Sequence, residues 1–75
     1  MSKYHVESLG KREIVVLRGN TTIAQSMCGN LYPMPEAKDS DIDTLIDMAD
    51  YYDLFYIDRE DYRYTPDEFR NILIS

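Results

Sequence analysis

Apolar positions follow two different periods along the chain, and the switch falls near residue 39. Before it the period is two. Tyr4, Val6 and Ser8 alternate with His5, Glu7 and Leu9; Ile14-Val15-Val16-Leu17 is a β-branched run; Ile23, Gln25 and Met27 alternate with Thr22, Ala24 and Ser26. This pattern predicts three short strands. Gly19-Asn20, between Arg18 and Thr21, suits a two-residue hairpin turn that needs positive φ, and Gly10-Lys11 marks a second reversal. The strands are therefore expected to form an antiparallel meander. The middle one is apolar on both faces, which predicts a central position with helices on one side and loops or another protein on the other. Cys28-Gly29-Asn30 is expected to end this part of the sheet, and the prolines of Tyr32-Pro33-Met34-Pro35 to enforce an extended connection.

From Asp39 the period becomes that of a helix. Ile42, Leu45, Ile46, Ala49 and Tyr52 fall within roughly 120° of one another, while Asp39, Asp43, Asp47 and Asp50 cluster on an adjoining arc. The spacing predicts an amphipathic helix with one side almost entirely carboxylate. Asp39 or Ser40 would cap its start, with Asp41 and Asp43 at the positive end of the helix dipole. Asp47, Asp50 and Asp53 lie toward the end where acid is unfavourable. Leu54 to Ile57 reads as a returning strand, with Tyr62 and Tyr64 in a further short one. Thr65-Pro66-Asp67-Glu68 is a capping box with proline at the first helical position, and Tyr64 is placed to staple onto Phe69. The last helix is expected to bury Phe69, Ile72 and Leu73. The resulting class is α+β: a small antiparallel sheet of three to five strands, two helices on one face, order βββαβ(β)α, in one domain spanning residues 1–75.

Charge sharpens the contrast between the two halves. The 75 residues carry a net charge of -6. Residues 1–38 hold five basic and three acidic side chains, a net of +2, whereas residues 39–75 hold three arginines against eleven carboxylates, a net of -8. Every aspartate lies in the second part and every lysine in the first. Such acidity argues against direct binding to nucleic acid or anionic lipid, which the long-range field would repel. The apolar runs are too short for a membrane span, the N-terminus has no apolar leader, and a single cysteine closes no internal disulfide, so a cytoplasmic setting is expected.

Candidate chemistry is sparse. Asp39-x-Asp41-x-Asp43, with Asp47 and Asp50 downstream, matches several ligand positions of a calcium loop. Thr44 occupies the position that needs glycine, an aspartate stands where a bidentate glutamate is required, and the stretch has helical period. One histidine and one cysteine cannot build a zinc site. A Cys28 thiolate with His5 as base needs the first and third strands to bring them together, and a lone cysteine in such a context is more often a small core residue. No catalytic residue, cofactor or metal is expected.

The aromatic usage points elsewhere. Five of the seven tyrosines (Tyr51, Tyr52, Tyr56, Tyr62 and Tyr64) lie in the acidic half. Tyrosine provides contact area at low entropic cost, and interleaved acid provides acceptors and stacking faces for arginine. An acidic face can also be merely solvated. Against that stands the repulsion between carboxylates one helical turn apart, at a few tenths of a kcal/mol per pair, which Asp39, Asp43 and Asp47 accept with no lysine between them. A surface shaped for solubility alone would intersperse the signs.

In size, acidity and the mixing of aspartate with tyrosine over residues 39–75, the chain is similar to small phage-encoded inhibitors that mimic DNA, including anti-restriction and anti-CRISPR proteins. The similarity is compositional and transfers no residue roles. It implies a non-enzymatic inhibitor or regulator docking on a basic partner protein, one that holds nucleic acid; the chain's own pattern of acid and tyrosine makes Asp39, Asp43, Asp47, Asp50, Tyr51, Asp58, Glu60 and Asp61 the expected contacts. The alternative expectation is a homodimeric structural subunit built across Ile14 to Leu17, or an antitoxin-like cover for a basic protein.

Overall fold

The computed structural model describes residues 3–74, which form an α+β fold of six strands and two α-helices. The strands are β1 (Tyr4–Ser8), β2 (Ile14–Arg18), β3 (Thr21–Met27), β4 (Asn30–Pro33), β5 (Phe55–Ile57) and β6 (Arg63–Tyr64). A single-turn 3-10 segment, Asp39–Asp41, leads into α1 (Ile42–Tyr51), and α2 (Pro66–Ile74) follows β6. The strands lie side by side in sequence order in one sheet. All neighbours are antiparallel except β4 and β5, which α1 connects and which are therefore parallel.

The sheet is larger than the alternation predicts and mixed rather than wholly antiparallel. Asn30, expected to end this part of the sheet, and Tyr32-Pro33, expected in an extended connection, instead belong to β4, paired with β3 from Met27↔Asn30 to Ala24↔Pro33. Proline is tolerated there because its missing N–H costs nothing at the end of a strand. The turn into β4 has Cys28 and Gly29 both at positive φ, 54° and 80°. Cys28 is consequently exposed at a turn and is not the small core residue expected of it.

A second departure concerns β3. Val16 pairs with Ala24 but the next residue, Leu17, pairs with Thr22, so Ile23 is an extra residue in a β-bulge. The bulge breaks the simple alternation and turns both Ile23 and Ala24 into the core, each fully buried, while Gln25 and Met27 face outward. Ile14, Val16, Ile23, Ala24 and Leu31 from the sheet pack on Leu45, Ile46 and Ala49 of α1 and Phe69 of α2. Both helices thus cover one face. Phe69 meets Tyr56 and Tyr64 at ring-centroid distances of 4.6 and 5.1 Å. Ile72 and Leu73, expected in the core, are exposed, because α2 docks through Phe69 and leaves an open groove beside Ile46 of α1, which Leu73 lines.

Local signals fix the helix ends. At α2 the Thr65 N–H donates to Glu68 Oε1 at 2.8 Å and the Glu68 N–H to Thr65 Oγ1 at 3.2 Å, the reciprocal pair of a capping box. These contacts hold the Glu68 carboxyl below its ordinary range. At the end of α1, the Leu54 N–H reaches Ala49 O at 2.7 Å and the Asp53 N–H reaches Asp50 O at 3.3 Å, a Schellman closure with Asp53 at φ 59° where glycine is usual. Arg12 from the β1–β2 loop donates to the Asp53 carbonyl at 2.6 Å, placing a cation at the negative end of the helix.

At the other end of α1, neither Asp39 nor Ser40 is the cap, since the 3-10 turn precedes the helix. Asp41 occupies the junction and is completely buried. Its carboxylate accepts from the Tyr4 hydroxyl at 2.6 Å and the Lys38 N–H at 2.8 Å, and forms an ion pair with Arg18. Burial pushes this carboxyl up, but the three donors outweigh it and hold it below the ordinary carboxylate value.

Candidate protein-docking face

The outer surface of the helical layer collects most of the acid. Asp39, Asp43, Asp47 and Asp50 all stand exposed along one side of α1 and the turn before it. Successive members four residues apart are separated by about 6 Å along the axis. Asp41 is excluded from the row because it lies four residues before Leu45, on the helix face that the sheet buries. That spacing was the sequence signal for its burial.

Between α1 and α2 runs an open groove of about 800 Å³, lined by Asp43, Ile46, Asp47, Asp67, Arg70 and Leu73. Arg70 is its electrostatic centre: its guanidinium lies 2.8 Å from Asp47, 3.4 Å from Asp50 and 3.1 Å from Asp67. The three carboxylates raise the arginine pKa, Asp47 most strongly. Arg70 in turn relieves the unfavourable placement of Asp47 and Asp50 toward the C-terminal end of α1. Asp67 was not singled out as a contact residue, although its i, i+3 spacing to Arg70 is visible in the sequence. Asp43 lines the same groove without an ion pair among the described residues.

A smaller depression of about 200 Å³ continues the face toward the β5–β6 loop, with Ile42, Tyr56 and Phe69 at its base and Asp39, Asp58 and Glu60 around it. Arg59 lies 3.8 Å from Asp39, both well exposed, and donates to the Ala37 carbonyl at 2.6 Å, pinning the connection ahead of α1. Asp58 is engaged within its own loop, where its carboxylate accepts the Glu60 and Tyr62 N–H groups at 2.8 and 2.9 Å. Its charge remains beside the face and, together with burial, pushes the Tyr64 hydroxyl up. Glu60 is exposed, and Asp61 is exposed at φ 66° on the loop tip. Tyr51 is 80% exposed at the end of the α1 row, edge-on to the half-buried Tyr52 at 4.9 Å.

The site residues therefore form a band across two grooves, with Asp61 at its margin. Arg63 is not part of it, since it stacks on the Phe55 ring at 4.5 Å on the other side of the sheet. Cys28 and His5 are far from forming a dyad. His5 pairs with Leu17, whose β3 partner is Thr22, whereas Cys28 lies beyond the opposite end of β3. Among the described residues no His/Cys/Asp/Glu group is arranged to hold a metal ion, and no helix is long and apolar enough to cross a membrane. The stretch whose aspartates partly match a calcium loop is folded as the 3-10 turn and α1. No family model, no curated protein and no solved structure matches this chain.

Proposed function

We propose that this chain is a non-catalytic inhibitor or regulator that docks its acidic helical layer onto a basic, nucleic-acid-binding surface of a partner protein. The observation that carries the reading is the exposed row Asp39, Asp43, Asp47 and Asp50, extended by Asp67, Asp58 and Glu60 and partly countered by Arg59 and Arg70. Carboxylates about 6 Å apart are comparable in spacing with backbone phosphates, so a row of them suits an arginine- and lysine-lined channel. Occupation excludes nucleic acid sterically and electrostatically, with no bond made or broken. Tyr51 supplies an exposed ring for a guanidinium at the edge of the row.

The test is affinity capture from the native host with the full chain and with Asp43→Lys/Glu60→Lys. Both residues are exposed and neither belongs to the Arg70 cluster, so helix packing is preserved. The expected result is a nucleic-acid-binding protein that is captured at about 50 mM salt, weakened steeply at about 200 mM, displaced by added duplex and lost with the variant. Salt-independent capture that the variant leaves intact would overturn the proposal.

A further inference from the structure

The face of the sheet opposite the helices is the second large surface of the molecule. Strand alternation and the pairing register put His5 and Glu7 of β1, Val15 and Leu17 of β2, Gln25 and Met27 of β3, Tyr32 of β4, and Phe55 of β5 with Arg63 of β6 on this side. Apolar side chains alternate there with polar ones: Met27 is 55% and Phe55 38% exposed, Val15, Leu17 and Tyr32 are half-buried, and Thr22, Gln25 and Asn30 lie between them. Neither helix lies over it, since both belong to the core on the opposite side. Its charges sit at the two margins, Glu7 on the edge strand β1 and Arg63 on the edge strand β6.

We propose that this face is the interface of a homodimer, two sheets stacked about a two-fold axis parallel to the strands. That operator places β1 of one copy over β6 of the other, so Glu7 meets Arg63 twice while Leu17, Met27, Tyr32 and Phe55 close the centre. The self-complementarity comes from the opposite signs at opposite edges. An axis perpendicular to the strands would instead stack Glu7 on Glu7. The net charge of -6 per copy does not oppose this arrangement. The acidic layers point away from each other and stand roughly 30 Å apart, counting about 10 Å per layer, several times the Debye length of about 8 Å at physiological salt.

Area sets the strength. Six strands span about 24 Å and their mean length is about 15 Å, roughly 350 Å² in projection on each copy. Doubled, and enlarged by side-chain relief, this reaches the lower range of specific interfaces, near 1,000 Å² in total, and predicts a reversible dimer. The inference does not depend on what the acidic layer binds.

Sedimentation equilibrium of the full chain from about 1 μM to about 1 mM tests it, spanning the range expected for an interface of this size. The expected result is a monomer–dimer equilibrium that Glu7→Arg or Arg63→Glu each weakens about tenfold, from two symmetric contacts, while the double exchange recovers to within about threefold. Met27→Glu, at an exposed position the monomer tolerates, is expected to abolish the dimer by burying a charge. A chain that stays monomeric throughout overturns the proposal. So does a dimer indifferent to the charge exchanges, or one lost with Asp43→Lys on the helical layer. Circular dichroism of each variant separates dissociation from unfolding.

Discussion

Arg18 and Arg70 both pair with carboxylates, and their surroundings are opposite. Arg18 meets Asp41 at the junction of sheet and helix, where the arginine side chain is 20% exposed and the aspartate fully buried. Arg70 meets Asp47, Asp50 and Asp67 at the solvent edge, 37% exposed against partners of 60 to 88%. The buried pair has lost its water and depends on every donor around it. The exposed cluster has more partners, but solvent and salt screen each one. A count of ion pairs would rank the Arg70 cluster first, whereas burial makes Asp41 the more consequential residue.

The largest expected effect follows from that difference. Asp41→Ala leaves Arg18, the Tyr4 hydroxyl and the Lys38 N–H without their shared acceptor and is predicted to cost about 3–5 kcal/mol, read from urea unfolding. In a 75-residue domain that is much of the total stability. A cost below about 1 kcal/mol, the level of a surface pair, would break the comparison.

The same node predicts a stability profile with two limbs. Asp41 titrates below its ordinary value of 3.8 in the folded state, so its contribution is complete above that value and is lost as pH falls through the lower folded pKa. Tyr4, whose hydroxyl donates to Asp41, is raised above 10.0, so its contribution is complete below pH 10.0 and is lost as pH rises through the higher folded pKa. Asp41→Asn should reduce the acid limb, leaving the slope from Glu68, also held low by its cap. An unchanged acid limb would remove Asp41 from the account.

Smaller effects sharpen the exposed side. Thr65→Ala opens the capping box that starts α2 and is expected to cost about 1 kcal/mol, independent of salt, by thermal or urea unfolding. Arg70→Gln keeps much of the side-chain packing but removes the charge, and should lower the urea midpoint by less than Thr65→Ala does at low salt, the loss fading at high salt. A salt-independent loss larger than that of Thr65→Ala would show the cluster to be as desolvated as Asp41.

Much of the architecture was legible in the residues because the signals were local. The capping box at Thr65, the staple from Tyr64 to Phe69 and the Gly19-Asn20 turn each rest on neighbours a few positions apart. What alternation could not reveal was the bulge at Ile23, since inserting one residue shifts the phase only where a partner strand defines it. The strand Asn30–Pro33 was hidden for a related reason, because its pairing with β5 depends on a segment more than twenty residues away. The end of α1 escaped too: Asp53 takes the left-handed position normally marked by glycine.

For the acidic face, the composition told which residues carry charge and the helical period told that Asp39, Asp43, Asp47 and Asp50 share a side. It did not reveal that Arg70 of α2 would reach across to Asp47 and Asp50 of α1, nor that Asp58 would engage one carboxylate oxygen within its own loop. Charge and periodicity are properties of the chain, fixed by residue type and by spacings within one element. Which carboxylate is buried, which is bridged and which still faces solvent depends on how separate elements approach, and only the packing of β1, β2, α1 and α2 against one another decided it.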